Sequence, residues 1–263
     1  MSLSTTSSFS PGLGLSLSGG GARGIAHLGV LQALEELHIR PAKIAGVSAG
    51  AIAGALYAHG YPPKEILRMV KQVSLFSFFN LSSLSQSGFL SMDSIEKLLL
   101  RYLPHDQFSF LQIPLVVSAT DVQAGETVYF SEGALIKPIL ASACVPVVFS
   151  PVQYQGRQLV DGGIVCSMEV MPLQDCEKII GVHTNPFNKN QSPQSTRALL
   201  ERCLTLSIHA NARANFRHCA LVIEPAALRN IAATRLDRAN ELFQIGYQAT
   251  MQVAVELEKI VAA

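Results

Sequence analysis

The chain has 263 residues, of which 49% are hydrophobic, and sets 20 Lys+Arg against 19 Asp+Glu. That length and apolar content suffice for one continuous core and exclude a disordered or fibrous chain. A formal charge of +1 excludes a broad electrostatic footprint for nucleic acid or for a strongly anionic membrane, so any lipid contact has to rest on apolar surface.

Residues 1–12 are rich in Ser, carry no Lys or Arg and lack the apolar stretch of a secretory signal. They read as a flexible arm ahead of a single domain at 13–263. No apolar run approaches the roughly 18 residues that span a bilayer. The expected location is cytoplasmic or peripheral at a membrane surface, with signal-less secretion left open. Cys144, Cys166, Cys176, Cys203 and Cys219 are odd in number and form no C-x-x-C pair, which argues against a disulfide framework and a zinc site.

In chain order, the apolar residues 13–17 run into a glycine cluster, and 25–37 then shows helical spacing through Ile25, Leu28, Leu31, Leu34 and Leu37. Pro41 breaks the chain, 43–47 reads as a second strand and the Ala-rich 49–59 as a second helix. Strands joined by a helical crossover run parallel, so the predicted class is α/β, a three-layer α/β/α sandwich around a mostly parallel sheet. A third helix is expected over 63–73, while 75–92 mixes Phe76, Phe78, Phe79, Leu81, Leu84 and Phe89 with polar residues and keeps no period. Asp93 and Glu96 resemble a capping pair for a helix to about 103. Strands at 113–119 and 127–130 precede an Ala-rich helix from 135 that closes before Pro146. Further strands are expected at 147–152, 158–160 and 178–182, then a helix over 195–216 and a strand at 220–223. Leu242, Gly246, Ala249, Val253, Leu257 and Ile260 recur in steps of three and four, predicting one long amphipathic helix.

Two motifs follow the first two strands. Gly19, Gly20, Gly21, Ala22, Arg23 and Gly24 form a turn whose amides open a helix and face an anion. A dinucleotide site would need an acidic residue about 20 positions further on. Gly46-Val47-Ser48-Ala49-Gly50 stands there instead, the G-x-S-x-G pattern of a nucleophile elbow. The bland alternatives are an ordinary tight turn and a serine N-cap. Parallel neighbours end on the same side of a sheet, which puts the loop beside Ser48, with the Gly20 and Gly21 amides aimed at an oxyanion. Arg23 is either a charge for a substrate phosphate or a structural partner. Ser48 needs a base. Asp161, in Asp161-Gly162-Gly163, competes on residue chemistry with His183 and His209.

Taken in order, G-G-G-x-R-G, G-x-S-x-G and D-G-G resemble the patatin-like phospholipases, as do Gly24-Ile25-Ala26-His27-Leu28-Gly29-Val30-Leu31 and Ala141-Ser142-Ala143-Cys144-Val145-Pro146. The likeness covers residues 13–185. It implies a Ser-Asp dyad without a catalytic histidine, an oxyanion hole from the glycine loop, and acyl hydrolysis of phospholipids or related lipids without metal or cofactor. By motif position Ser48 is the nucleophile, Asp161 the base and Gly19 to Gly24 the oxyanion region. Gly46 and Gly50 flank the elbow, and Gly162 and Gly163 shape the base turn. One departure is the stretch Ile164-Val165-Cys166-Ser167-Met168-Glu169 before Pro172, where the family carries an Asn-rich turn.

The resemblance thus implies a lipid acyl hydrolase of phospholipase A or lysophospholipase type. An acyltransferase using the same serine and a Ser-Asp-His α/β-hydrolase esterase are the alternatives. The expected partners are a phospholipid or lysophospholipid and, transiently, a membrane surface, with no nucleic acid and an unread oligomeric state. Residues 75–92 are expected to form a mobile cover over the site. The histidines lack metal-ligand spacing, so no metal site is expected.

Overall fold

The structure, a computed structural model, describes residues 12–79, 92–146, 148–188 and 192–262. The expected arm and most of the expected cover therefore lie outside the described residues. Gly12, at the arm's end, accepts a hydrogen bond from the Glu177 amide at 3.2 Å.

The order is β1 (Leu13–Leu17), α1 (Ala26–Glu36), β2 (Lys43–Val47), α2 (Ala49–His59), α3 (Pro63–Phe79), α4 (Asp93–Tyr102), β3 (Leu115–Asp121), β4 (Glu126–Phe130) and α5 (Ile136–Ser142). It continues through β5 (Val152–Tyr154), β6 (Arg157–Asp161), β7 (Lys178–Val182), α6 (Thr196–Ala214), β8 (Leu221–Ile223), α7 (Ala239–Gln252) and α8 (Ala254–Ala262). The described strands form an eight-stranded sheet connected as β5-β6-β3-β2-β1-β7-β8, with β4 also on β3. β8, β7, β1, β2 and β3 are mutually parallel, and β4 and β6 run antiparallel to β3. β1, β2 and β7 are buried on both faces over most of their length, as parallel strands under helices must be.

Neighbouring residues on a strand point to opposite faces. Ile44 belongs to the main apolar cluster and Ala45 to a smaller one with Val170, Leu173 and Ile179, so the two clusters cover opposite faces. The layers are unequal. On the main face α2 and α5 lie on β2 and β3, and α1, α3, α4 and α7 pack around them. On the thin face stand the segment around Leu173 and the mostly exposed α6.

Four expectations are corrected. The irregular stretch was expected from residue 75, yet α3 continues to Phe79, and residues 80–91 are the part outside the description. Asp93 is the first residue of α4 with Met92 in the cap position, so Asp93 and Glu96 act as acids in the first turn, where the helix dipole favours them. The strand expected at 147–152 begins only at Val152, because Pro146 and Pro151 bracket a turn. The long last helix breaks at Val253, whose amide bonds to Thr250 three residues back rather than four. Thr250 also donates its hydroxyl to the Gly246 carbonyl at 2.9 Å, a back-bond that bends helices.

α7 approaches α1 so closely that a Cβ on Gly246 would overlap the Ala26 carbonyl and one on Gly29 the Phe243 carbonyl. Gly→Ala within a helix ordinarily stabilises by up to about 1 kcal/mol. Gly246→Ala is expected to reverse that sign and destabilise by about 2 kcal/mol or more, read as a fall in the urea midpoint at unchanged m.

Candidate active site

The site is built by strand register. Val117 pairs with both Gly46 of β2 and Phe130 of β4, so β2 and β4 occupy opposite edges of β3. Ala119 pairs with both Val128 of β4 and Asp161 of β6, so β6 lies on the same edge as β2. β2 ends with Val47 opposite Ser118, and the next residue of β3, Ala119, faces Asp161. Two strands running in opposite directions therefore meet end to end, and Ser48 and Asp161 stand at the junction.

At that junction the chain turns from β2 into α2. Ser48 adopts φ 53° and ψ −120°, a conformation costly for a residue with a Cβ. Its amide donates to the Ser142 hydroxyl of α5 at 2.8 Å, which ties the strained turn to a neighbouring helix. Gly50 permits the turn, since a Cβ there would run into the Leu17 carbonyl. Ser48 is 6% and Asp161 8% exposed.

Asp161 sits in a framework of backbone bonds. Its Oδ1 accepts from the Gly163 amide at 2.8 Å, and its own amide donates to Cys144 O at 2.8 Å. Thr120 donates its hydroxyl to the Asp161 carbonyl at 3.0 Å. Burial pushes the carboxyl pKa up to about 6, while hydrogen bonds from the Ser48 hydroxyl and the Gly163 amide hold it down. Asn211 of α6 clamps the turn by donating to Gly163 O at 3.0 Å and Ile164 O at 3.3 Å, and accepts from the Ser167 amide at 2.9 Å.

The glycine loop is fixed through one carbonyl. Gly19 O accepts from Thr184 Oγ1 at 3.0 Å, Asn185 Nδ2 at 2.9 Å and Ser18 Oγ at 2.9 Å. In a planar trans peptide the N–H points opposite to the C=O, so the Gly20 amide is directed away from Thr184 and Asn185. Gly20 O accepts from the Arg23 amide at 3.1 Å, which turns the Gly21 N–H outward in the same way. Neither amide has an acceptor among the described residues. A Cβ on Gly19 would stand 3.4 Å from Ser48 Cβ, which places these donors one residue from the serine.

The Gly19 amide is bound to Ser167 O at 3.0 Å, the Ala22 amide to Ala233 O at 2.7 Å, and Gly24 packs against Ala49. Arg23 donates from Nε to Ile231 O at 2.6 Å and from Nη1 to Asn185 Oδ1 at 3.4 Å, the structural alternative for that residue. Gly46 and Gly50 lie against the elbow, and Gly162 packs on the Ser118 carbonyl beneath the base turn.

The histidines take other partners. His27 Nε2 bonds to Ser18 O at 2.8 Å, and burial lowers its pKa to about 4, so it is a neutral donor that braces the end of β1. His183 and His209 face each other and the Asn185 carbonyl. Among the described residues, no histidine is hydrogen-bonded to Ser48 or Asp161. The expectation of no metal site rested on spacing along the chain. In space, His183, His209 and Glu224 bring ligand atoms within 4.8 Å of one another.

Four contributors are not legible from residue chemistry alone. Ser142 belongs to the Ala-Ser run that carried part of the family likeness, and its Ser48 contact depends on α5 packing. Thr184 and Asn185, just after β7, and Asn211 of α6 lie far along the chain from the groups they hold, with no local motif to mark them.

Fold and site together define an α/β protein with a serine at a strand-to-helix elbow, a buried carboxylate beside it and a glycine loop alongside. Residues 15–173 match the family described as patatin-like phospholipase, and the chain belongs to that family. An uncharacterized NTE family protein of Mycobacterium tuberculosis is 36% identical over 168 residues, 63% of this chain and 46% of the relative. The lysophospholipase NTE1 of Kluyveromyces lactis is 25% identical over 268 residues, covering 89% of this chain and 18% of the relative. The chain thus spans less than half the length of these curated relatives. VipD from Legionella pneumophila shares the fold, with a TM-score of 0.54 at 17% identity over 93% of this chain and 66% of that one.

A carboxyl whose pKa is raised by folding favours the native state fully below its unfolded value of 3.8 and loses that contribution as pH rises through about 6. Asp161→Asn removes the buried charge and keeps an acceptor for the Gly163 amide. The variant is expected to be more stable than wild type at pH 8, by up to about 3 kcal/mol, and equal to it near pH 4. Thermal unfolding at both pH values measures the difference.

Proposed function

We propose that residues 13–263 form one acyl hydrolase domain that cleaves carboxylic esters of lipids, of phospholipase A or lysophospholipase type, with Ser48 as nucleophile and Asp161 as base. The observation that carries the reading is the junction of β2 and β6, where a strained serine meets a buried carboxylate beside two amides that have no acceptor among the described residues. Family membership and the name of the yeast relatives point to a lysophospholipid or phospholipid as substrate.

In the first half-reaction Asp161 takes the Ser48 proton as Oγ bonds to the ester carbonyl carbon. The carbonyl oxygen gains the negative charge and meets the Gly20 and Gly21 amides, each such donor contributing roughly 3–4 kcal/mol to lowering the barrier. Asp161 then returns the proton to the departing alcohol, leaving acyl-Ser48. Water adds in the second half-reaction, with Asp161 again taking and returning the proton, and the fatty acid leaves. The raised pKa of Asp161 makes it a stronger base than an exposed carboxylate, while leaving it ionised near neutral pH.

Lipid contact is assigned to the rim of the base turn. Val145, Val148, Ile164 and Val165 are exposed there, around a cavity of about 410 Å³ lined in part by Val122, Pro146, Pro151 and Val160. Neither Ser48 nor Asp161 lines that cavity, so its role is docking rather than chemistry. With a formal charge of +1, an apolar rim is the means of adsorbing to a lipid surface. No helix among the described residues is long and apolar enough to cross a membrane.

The direct test is hydrolysis of lysophospholipids, phospholipids and soluble p-nitrophenyl esters by wild type and Ser48→Ala, with a fluorophosphonate probe to label the nucleophile. One adduct is expected, at Ser48, and an adduct on another serine with Ser48 intact defeats the assignment. Asp161→Asn should lower kcat by roughly 100- to 10,000-fold with little change in KM. In wild type, kcat should fall as pH drops through about 6, where the base becomes protonated.

The rim assignment makes a separate forecast. Ile164→Glu with Val165→Glu should reduce turnover of vesicle or micellar substrate by roughly tenfold or more, the size of the apolar term lost on burying two side chains. Turnover of a soluble ester should change less than twofold. Equal loss on both substrates would assign these residues to the fold instead.

A further inference from the structure

We propose that His183, His209 and Glu224 bind one zinc ion, with the Asn185 backbone carbonyl as the fourth donor. The proposal goes beyond the hydrolase reading and does not rest on it.

Parallel pairing builds the cluster. Val182, the last residue of β7, pairs with Ile223, the last of β8, so His183 and Glu224 leave the sheet side by side. The His183 amide donates to Ile223 O at 3.0 Å and fixes that junction. His209 reaches in from α6. Ring contacts set both imidazole planes: Phe216 meets His183 edge-on at 5.5 Å, and Phe187 stacks on His209 at 5.6 Å.

The donor separations bracket those of a small tetrahedral ion. His183 Nε2 is 3.4 Å from His209 Nδ1, 3.0 Å from Asn185 O and 3.9 Å from Glu224 Oε1, and His209 Nδ1 is 3.3 Å from Asn185 O. Zinc held at about 2.0–2.2 Å by nitrogen and oxygen places its donors about 3.3–3.6 Å apart. Two imidazoles and a carboxylate suit zinc, whereas calcium and magnesium prefer all-oxygen sets.

Without an ion one of these atoms is left unmatched: Glu224 Oε1 is buried with no hydrogen-bond partner among the described residues. A buried carboxylate oxygen without a donor is costly, and a cation removes the deficit. His209 is half-buried and gives the ion a route in.

The site is structural in placement. Ser48 and Asp161 take no part in it, but the Asn185 side chain holds Gly19 O and accepts from Arg23. An ion on the Asn185 carbonyl therefore stiffens the strut that orients the glycine loop.

The test uses the full chain, stripped of metal by a chelator and titrated with Co²⁺ as a spectroscopic substitute and then with Zn²⁺. One equivalent of Co²⁺ should give the intense visible d–d bands of a tetrahedral site without a thiolate charge-transfer band, and Zn²⁺ should displace it. His209→Ala and Glu224→Gln, both at partly exposed positions, should each weaken Zn²⁺ binding by roughly 100-fold or more, since even groups behind the ligands are worth about 10- to 100-fold. Zn²⁺ should raise the Tm of wild type and not of the variants. Absence of saturable micromolar binding, binding unchanged in both variants, or a thiolate band would each overturn the site. Circular dichroism of the metal-free variants guards against reading misfolding as lost ligation.

Discussion

Everything in the candidate site depends on β3 being longer than β2. β2 stops opposite Ser118, and the free edge beyond it, from Ala119 to Asp121, is filled by β6 arriving from the opposite direction. The backbone groups of β3 are thereby satisfied along their length, as buried main chain requires. A consequence is that the end of β6 faces the end of β2 at a spacing set by one residue of β3. The Ser48–Asp161 apposition is thus a product of hydrogen-bond register, which is far more rigid than two loops brought together by side-chain packing. A slip of one residue would also turn Asp161 to the other face of the sheet.

The glycine loop is held by a complementary device. Glycine offers little resistance to rotation of its peptide, so a loop of three needs an external hold to present its amides in one direction. Three donors on the single carbonyl of Gly19 provide it, and two of them come from the residues just after β7, the strand on the other side of β1. The serine is fixed from the β3 side of the sheet and the loop from the β7 side, with β1 and β2 between them. A glycine-to-alanine change in this loop would therefore act on peptide orientation as well as on space.

Local chemistry is what the sequence makes legible. The buried parallel strands, the glycine turn and the elbow are written in consecutive residues, and each appears where expected. Asp161 is different, because its neighbours say only that it lies in a turn. What places it beside Ser48, where His183 and His209 are not, is the pairing of Ala119 with Asp161, a fact about two segments far apart, which residue chemistry could not supply and only family likeness pointed to. Ser142, Asn185 and Asn211 escape for the same reason, as does the convergence of His183, His209 and Glu224, whose spacing matches no contiguous metal motif. The last helix shows the complementary limit. Its apolar period runs through Val253 unbroken, and the backbone still breaks there, because periodicity reports which face is buried and not whether every turn keeps its hydrogen bond.

The site also carries unfavourable free energy that the rest of the chain has to offset. A backbone strained like that of Ser48 costs about 1–3 kcal/mol, and burying the Asp161 charge costs about 3 kcal/mol near neutral pH. Together these are comparable to the whole net stability of many domains, about 5–15 kcal/mol. Each fully buried Leu or Ile returns about 1.5–3 kcal/mol, and the helices that position the site supply many of them, among them Leu31, Leu34, Leu56 and Ile139. α2 and α5 are central here, since α2 starts at Ser48 and α5 ends at Ser142, the hydroxyl that receives the Ser48 amide. Their apolar packing and the strained turn are therefore coupled. Loosening that packing would let the elbow relax toward an ordinary backbone, and Ser48 would leave Asp161 before the protein unfolded.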